Sequence, residues 1–168
     1  MEQRLLALSL VLGELSVDVN VASVENRKVM QKAVYLAQEM GVPLGYRFNW
    51  YVMGPYSPGL TDDYYQAATE NGAPVDRALL GVFRNRLETL KPFLDLPDSG
   101  SPLSDAENLS RADWLELLAS WHFLRAKRKL TRDDARKKMD EAKPRLAPNA
   151  ELAEGALRDA GLLAAPQS

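Results

Sequence analysis

Residues with the usual catalytic or metal-binding chemistry are few and scattered along this chain. It has no cysteine and one histidine, His122, so thiol catalysis, cysteine-ligated metals and clusters of histidine ligands lack the residues they need. Ser57 lies in the run GPYSPG, which does not match the G-x-S-x-G pattern of a nucleophile elbow. Neither a G-x-G-x-x-G motif nor a P-loop is present. The sequence therefore predicts a protein that is not an enzyme and uses no metal or cofactor.

Three pairs of adjacent acids are the remaining candidates for holding a hard cation, which prefers carboxylate oxygens. Neighbouring residues on a helix diverge by about 100°, so the two carboxylates of a pair point apart. Two of the pairs also open predicted helices, where the helix dipole favours acids in any case. We therefore favour a structural role for Asp62-Asp63, Asp133-Asp134 and Asp140-Glu141.

The clearest charge asymmetry lies in residues 125–145, where basic residues far outnumber acidic ones. The whole chain has a net charge of −2 and a pI of about 5.5, which does not indicate a nucleic-acid-binding protein. A basic segment on such a protein can nevertheless hold phosphates or an acidic protein surface. Favourable placement of cations at helix ends and pairing at i,i+4 would produce the same pattern. The candidate nucleic-acid contacts are Arg125, Lys127, Arg128, Arg132, Arg136 and Lys137.

The element best suited to position a binding surface is a helix that ends before Gly41. Its apolar residues recur at three- and four-residue spacing over more than half of its circumference, which predicts a central position in the fold. Ser23 is the favoured N-cap, and Gly41 can adopt the left-handed conformation that ends a helix. The polar positions form a complementary stripe, which we interpret as a face turned toward another macromolecule. That stripe contains Lys28, Gln31, Lys32, Tyr35, Gln38 and Glu39.

An aromatic strand follows the helix. Tyr46, Phe48, Trp50 and Val52 alternate with more polar positions over residues 46–53, which predicts a half-buried strand. Gly54-Pro55 is expected to end the strand, and Ser57-Pro58 suits the start of the next helix. One strand is not stable alone, so a pairing partner is required, although the sequence does not identify it.

Residues 26–64 resemble the Panacea domain, also called SocA-like. The run MQKAVYLAQ at residues 30–38, the aromatic strand and the run GPYSP at residues 54–58 are similar to the "LQK-LLYF-Q" helix and "Y-YGP-SP" turn of bacterial and phage proteins in that family. The later helices agree only in order and rough length. In that family the domain commonly serves as an antitoxin that neutralises a toxin by direct protein contact. The resemblance implies a protein partner, a cognate toxin or defence protein, and brings no catalytic residues with it.

Two functional hypotheses follow. The first is a protein-binding module of a bacterial or phage toxin–antitoxin or defence system. The alternative is a nucleic-acid-binding regulator that uses the basic segment. In the first hypothesis Gly54, Pro55, Ser57 and Pro58 form a structural turn, and the partner-binding residues are Lys28, Gln31, Lys32, Tyr35, Tyr51, Met53 and Tyr56.

Length and composition predict one domain over residues 1–168, because 168 residues with 46% hydrophobic content can build a full core. The periodic segments predict a mainly α (α+β) fold, with about six to seven helices around a central helix and one short strand or small hairpin. Proline and glycine in residues 91–110 predict a surface loop inside this domain.

The N-terminal apolar run LLALSLVLG is short and lies between Glu2 and Glu14, so we interpret it as a first helix and not as a leader. No stretch reaches the roughly 20 apolar residues that a membrane span needs. Together with the absence of cysteine, this predicts a cytoplasmic protein that does not enter a membrane.

Overall fold

The computed structural model describes residues 3–70, 81, 83–96 and 109–164. These residues form seven α-helices and one two-stranded antiparallel sheet, which confirms the predicted mainly α fold with a small hairpin. A 3₁₀ turn (Lys91–Leu94) follows the fourth helix, a π-helical turn (Phe123–Lys127) extends the fifth, and a second 3₁₀ turn (Ala147–Asn149) precedes the seventh. The elements in chain order are α1 (Gln3–Glu14), α2 (Val24–Glu39), β1 (Asn49–Tyr51), β2 (Gly54–Tyr56), α3 (Pro58–Thr69), α4 (Phe83–Leu90), α5 (Arg111–His122), α6 (Arg132–Ala142) and α7 (Ala150–Asp159).

The sequence predicts helix starts at Ser23, Ser57, Ser110 and Thr131, and each of these side chains caps a helix in the structure. Ser23 accepts a hydrogen bond from a backbone N–H in the first turn of α2, and Ser57 does the same for α3. Ser110 and Asp113 form a reciprocal capping box at the start of α5. Thr131 caps α6 by accepting one hydrogen bond from the Asp134 backbone N–H. These bonds satisfy backbone donors that have no partner inside the helix.

The centre of the fold is the pair α2 and α5, which pack against each other. Every residue of α2 from 30 to 37 is buried, which confirms its central position. In α5 every residue after Arg111 is buried, so this helix shares the centre. Leucines at the same helical spacing predict that Trp114 and Trp121 face the core, and both are buried. Their indole N–H groups donate to the Phe93 carbonyl and the Glu154 carboxylate at 2.9 and 3.0 Å.

The aromatic strand is shorter than predicted, and its partner is the segment expected to end it. β1 pairs with β2 in the register Asn49↔Tyr56, Trp50↔Pro55 and Tyr51↔Gly54. The expectation that Gly54-Pro55 only terminates a strand is therefore wrong. Val52, predicted to face inward, lies in the turn between the strands and is 90% exposed.

The sequence also predicts a helix end at Asn71-Gly72 and a helix start at Asp76, and both positions lie outside the described residues. So does most of the predicted 91–110 loop. The described beginning of that loop is the 3₁₀ turn, and Leu94 within it is fully buried in the core. Among the described helices, none combines the length and the apolar content needed to cross a bilayer.

Candidate partner-binding site

The polar stripe of α2 does not face solvent. Gln31, Lys32 and Tyr35 are each at most 2% exposed, and the side chain of Lys28 is only 9% exposed. The expectation that these four residues form a solvent-exposed face is therefore wrong. They bind groups of the same chain, chiefly in the hairpin and in α5.

Two glutamines of the stripe hold the ends of the segment that contains the hairpin. The Gln31 side chain donates to the Ser57 carbonyl and accepts from the Ser57 N–H, both at 2.9 Å. Gln38 makes the same reciprocal pair with the backbone of Tyr46, at 3.0 and 2.8 Å. Seven residues are about two helical turns, so both amides lie on one side of α2. They supply the donors and acceptors that a neighbouring strand would otherwise provide.

Two lysines fix the hairpin between its ends. The Lys32 ammonium donates to the Pro55 carbonyl at 2.6 Å, and Lys143 donates to the Val52 carbonyl at 2.7 Å. Gly54 has a φ of +89°, and a Cβ atom there would lie 2.2 Å from the Ser120 hydroxyl oxygen. Only glycine fits this close approach without strain. Gly54 and Pro55 are thus buried structural residues.

A buried ionic cluster lies beneath the hairpin. The Lys28 ammonium is 3.3 Å from a Glu116 oxygen and 3.8 Å from an Asp113 oxygen. Lys143 approaches the other Glu116 oxygen at 3.6 Å, and Arg145 approaches Asp113 at 2.6 Å. Two carboxylates of α5 are therefore shared among three cations.

Burial controls the protonation of the lysines in this region. It lowers the pKa of Lys32 from 10.5 to about 7; Glu116 opposes the shift, while Lys143 and Lys28 add to it. Burial also lowers the pKa of Lys143, again opposed by Glu116. Lys32 forms no ion pair within 4 Å with any described residue. The hydrogen-bond partner of this buried amine is the Pro55 carbonyl, which carries no formal charge.

The single histidine is part of the packed interior. The Nδ1 atom of His122 lies 2.7 Å from the Tyr35 hydroxyl oxygen, and Nε2 lies 3.2 Å from the Leu162 carbonyl oxygen. Because a carbonyl only accepts, Nε2 carries the proton, and Nδ1 accepts from the tyrosine hydroxyl. Burial lowers the pKa of His122 and raises the pKa of Tyr35. Both groups are therefore neutral near pH 7 and serve the core.

The turn of the hairpin is the most exposed apolar feature of the described residues. We call Tyr51, Val52 and Met53 the hairpin tip; they are 45%, 90% and 43% exposed. The left-handed residue of this turn is Gly54, and neither Val52 nor Met53 has a positive φ. The backbone at these two positions therefore accepts polar residues as readily as apolar ones. Because polar residues are usual at the apex of a turn, the turn itself does not account for the apolar side chains found there. Tyr51 and Met53 were candidates from the sequence, whereas Val52 was assigned to the buried face.

A groove of about 250 Å³ lies beside the hairpin tip, between the first turns of α2 and the helix α3. We call it the hairpin groove. Val24, Met53 and Tyr65 give it an apolar rim, and each is between 43% and 49% exposed. Tyr56 also lines it and packs edge-on against Tyr51, with ring centroids 5.2 Å apart. The sequence analysis missed Val24 and Tyr65, because each resembles an ordinary helix residue when taken alone.

The basic segment is largely paired within the fold. Arg128 lies over the Phe123 ring at 5.5 Å, and Lys137 is exposed. The other four candidate nucleic-acid contacts each have a carboxylate partner, which reduces the positive potential available to phosphates. Their ion pairs are Arg125–Glu154, Lys127–Glu39, Arg132–Glu151 and Arg136–Asp140.

Among the adjacent acids, Asp63 and Asp140 form ion pairs within the fold. Asp63 is 4% exposed and binds the Arg4 guanidinium at 2.7 Å and the Tyr46 hydroxyl at 2.7 Å. Asp140 forms an ion pair with Arg136. Within the described ranges, no three acidic or histidine side chains gather as metal ligands would.

Comparisons of the chain with protein-family models, with curated proteins and with solved structures find no match.

Proposed function

We propose that this chain is a non-catalytic protein-binding module that contacts its partner through the hairpin tip and the rim of the hairpin groove. The supporting observation is the clustering of exposed apolar side chains, which on a monomer usually marks an interaction site. Of the six large apolar side chains that are exposed among the described residues, five belong to this surface. The five are Val24, Tyr51, Val52, Met53 and Tyr65.

The rigidity of the hairpin supports the same proposal. Lys32 and Lys143 hold its backbone, and Gln31 holds the next residue, Ser57, through hydrogen bonds of 2.6 to 2.9 Å. A surface that is already ordered loses little conformational entropy when a partner binds. An aromatic and aliphatic tip on a fixed backbone has the properties of an interface anchor.

The partner follows from the resemblance of residues 26–64 to the Panacea domain. We propose that it is a cognate toxin or defence protein of a bacterial or phage system, which this chain neutralises or regulates in the cytoplasm. A nucleic-acid-binding role has less support, because most candidate contacts in residues 125–145 are ion-paired within the chain.

The proposal is tested by co-expressing the chain with the product of each adjacent gene and measuring complex formation and growth. We expect Val52→Asp to weaken complex formation by at least about tenfold, because a charge at a buried contact loses its water. The free energy of unfolding should change by less than about 1 kcal/mol, since Val52 is 90% exposed.

Leu96→Asp is the matched control, because Leu96 is an exposed apolar residue outside this surface. It should leave complex formation unchanged. Equal weakening by both substitutions, or by neither, would contradict the assignment of the hairpin tip as the contact.

A further inference from the structure

The hairpin groove has an apolar rim and a positively charged floor. Its charged lining residues among those described are Arg27, Lys28 and Lys32, and no carboxylate lines it. Arg27 donates to the Val21 carbonyl at 2.6 Å, and its guanidinium has further N–H groups. The groove is thus apolar at the level where Val24 and Met53 lie, and cationic beneath.

The positive charge of this floor is only partly balanced inside the protein. Asp113 and Glu116 are the carboxylates of the cluster below it, and they are shared among Lys28, Lys143 and Arg145. Neither carboxylate comes within ion-pair distance of Lys32. An ammonium has three N–H donors, and Lys32 uses one of them on the Pro55 carbonyl.

A buried cation without a counter-ion is costly, and a negative charge brought close to it removes part of that cost. We propose that the hairpin groove binds an aspartate or glutamate side chain of the partner protein, flanked by apolar side chains that pack on Val24, Met53 and Tyr65. This inference rests on the proposed function, since it names the chemistry of the partner at the same surface.

The size of the groove favours a side chain over a nucleic acid. A volume of about 250 Å³ holds one or two side chains. A nucleic acid would need further free cations along its backbone and bases stacked on exposed rings. Tyr65 has an exposed ring, but the ring beside it, that of Tyr64 with a centroid 5.3 Å away, is buried. These two tyrosines therefore do not offer adjacent exposed rings on which bases could stack. Phosphate binding is therefore an outcome for the test to exclude.

Binding of an acidic group should also take up a proton. Lys32 is held partly neutral near pH 7 by burial, and a carboxylate in the groove favours its charged form. The charged groups that act on this amine are Glu116 from α5, Lys28 from α2 and Lys143 after α6. Arg27, Tyr56 and Tyr64 line the same groove. Affinity for an acidic peptide should therefore fall as pH rises from about 7 to about 9.

The test uses the full chain and a displayed library of random peptides, selected on the wild type and counter-selected on Val52→Asp. We expect the retained peptides to carry an acidic residue between apolar residues. Changing that acid to its amide should raise the Kd of a synthetic peptide by at least about tenfold on the wild type. The amide peptide should also bind with little dependence on pH in the same range.

Chain variants link this effect to the groove. In Arg27→Gln and in Lys28→Gln, each confirmed as folded by its unfolding curve, the acid-to-amide penalty should shrink several-fold. Arg47→Gln is the matched control, because Arg47 is exposed near the hairpin but lies outside the groove. It should leave the penalty unchanged.

The outcomes separate the two proposals. Tip-dependent peptides that lack an acid, or an amide penalty below about twofold, would overturn the acidic partner and leave the protein-binding surface intact. Binding of a short oligonucleotide that depends on Arg27 or Lys28 would also overturn it. A library that yields no peptide able to distinguish the wild type from Val52→Asp would count against both.

Discussion

The stability of this protein should rise with pH above neutrality because of Lys32. Burial under the hairpin lowers the pKa of its ammonium from 10.5 to about 7 in the folded chain. In the unfolded chain the amine keeps its proton up to its ordinary pKa. Between these two values the unfolded state binds more protons, so the free energy of unfolding increases with pH. This stabilisation is complete above about pH 10.5 and is lost as pH falls through about 7.

The magnitude follows from the linkage relation. Each pH unit between the two pKa values contributes at most about 1.4 kcal/mol. From pH 7, where the folded amine is about half protonated, to about pH 9.5, Lys32 should add about 2 to 3 kcal/mol. Lys143 acts in the same direction, because burial lowers its pKa as well. The lowered pKa of His122 affects stability mainly below this window, and the raised pKa values of the buried tyrosines mainly above it.

The assay is urea unfolding followed by tryptophan fluorescence at several pH values in this window, on the wild type and Lys32→Met. The substitution removes the hydrogen bond to Pro55, which costs about 1 to 3 kcal/mol at every pH. It should also remove most of the rise with pH and leave only the smaller part due to Lys143. Lys137→Met, at an exposed position, should keep the slope of the wild type. A flat wild-type profile, or equal slopes in the wild type and Lys32→Met, would refute this reasoning.

Two further predictions concern the backbone of the hairpin. Gly54→Ala should destabilise the fold by about 2 to 4 kcal/mol, because φ is +89° and the new Cβ would overlap the Ser120 hydroxyl. The control is Gly59→Ala, where the nearest atom to the new Cβ is 3.9 Å away, and it should stay within about 1 kcal/mol of the wild type. Similar urea midpoints for the two variants would contradict this prediction. Gln31→Ala should cost about 1 to 3 kcal/mol, because it leaves the buried Ser57 N–H without a partner, while the Ser57 carbonyl still accepts from the Thr61 N–H. Exposed Gln66→Ala should cost less than about 0.5 kcal/mol in the same measurement.

The parts of the fold that sequence alone predicts are those with short-range causes. The capping box of Ser110 and Asp113 depends on residues three apart, and so does the cap formed by Ser57. The central position of α2 follows from the width of its apolar surface. The burial of Trp114 and Trp121 follows from the leucines at the same helical spacing.

The pairing partner of the aromatic strand escaped prediction because the causes of the pairing are long-range. A Gly-Pro pair usually ends a strand, since proline lacks an N–H and glycine has no side chain to pack. Here Gly54 fits against Ser120, and the Pro55 carbonyl receives the ammonium of Lys32. Both partners come from helices distant in sequence, so no pattern within residues 46–58 indicates the pairing.

The polar stripe was misassigned for a related reason. Helical periodicity separates polar from apolar positions, but it does not separate solvent from a covering polypeptide segment. Residues 46–57 form only a short hairpin, so backbone groups at Tyr46, Pro55 and Ser57 lack strand partners and must find others. Gln31 and Gln38, with Lys32 between them, supply these partners. The sequence does contain a signal for the burial of the polar stripe. Two glutamines lie seven residues apart on the helix, and an aromatic segment without a second strand follows them.

The buried polar contacts and the exposed tip are best explained together. A core built only for stability gains nothing from a lysine whose burial lowers its pKa to about 7, since an apolar residue avoids that cost. Directional bonds from Lys32 and Lys143 to the hairpin carbonyls instead select one orientation of the hairpin among the many that apolar packing alone would permit. That orientation holds Val52 in solvent and leaves Met53 on the rim of the groove. Part of the folding energy is thereby used to fix the exposed surface that the proposed protein-binding function requires.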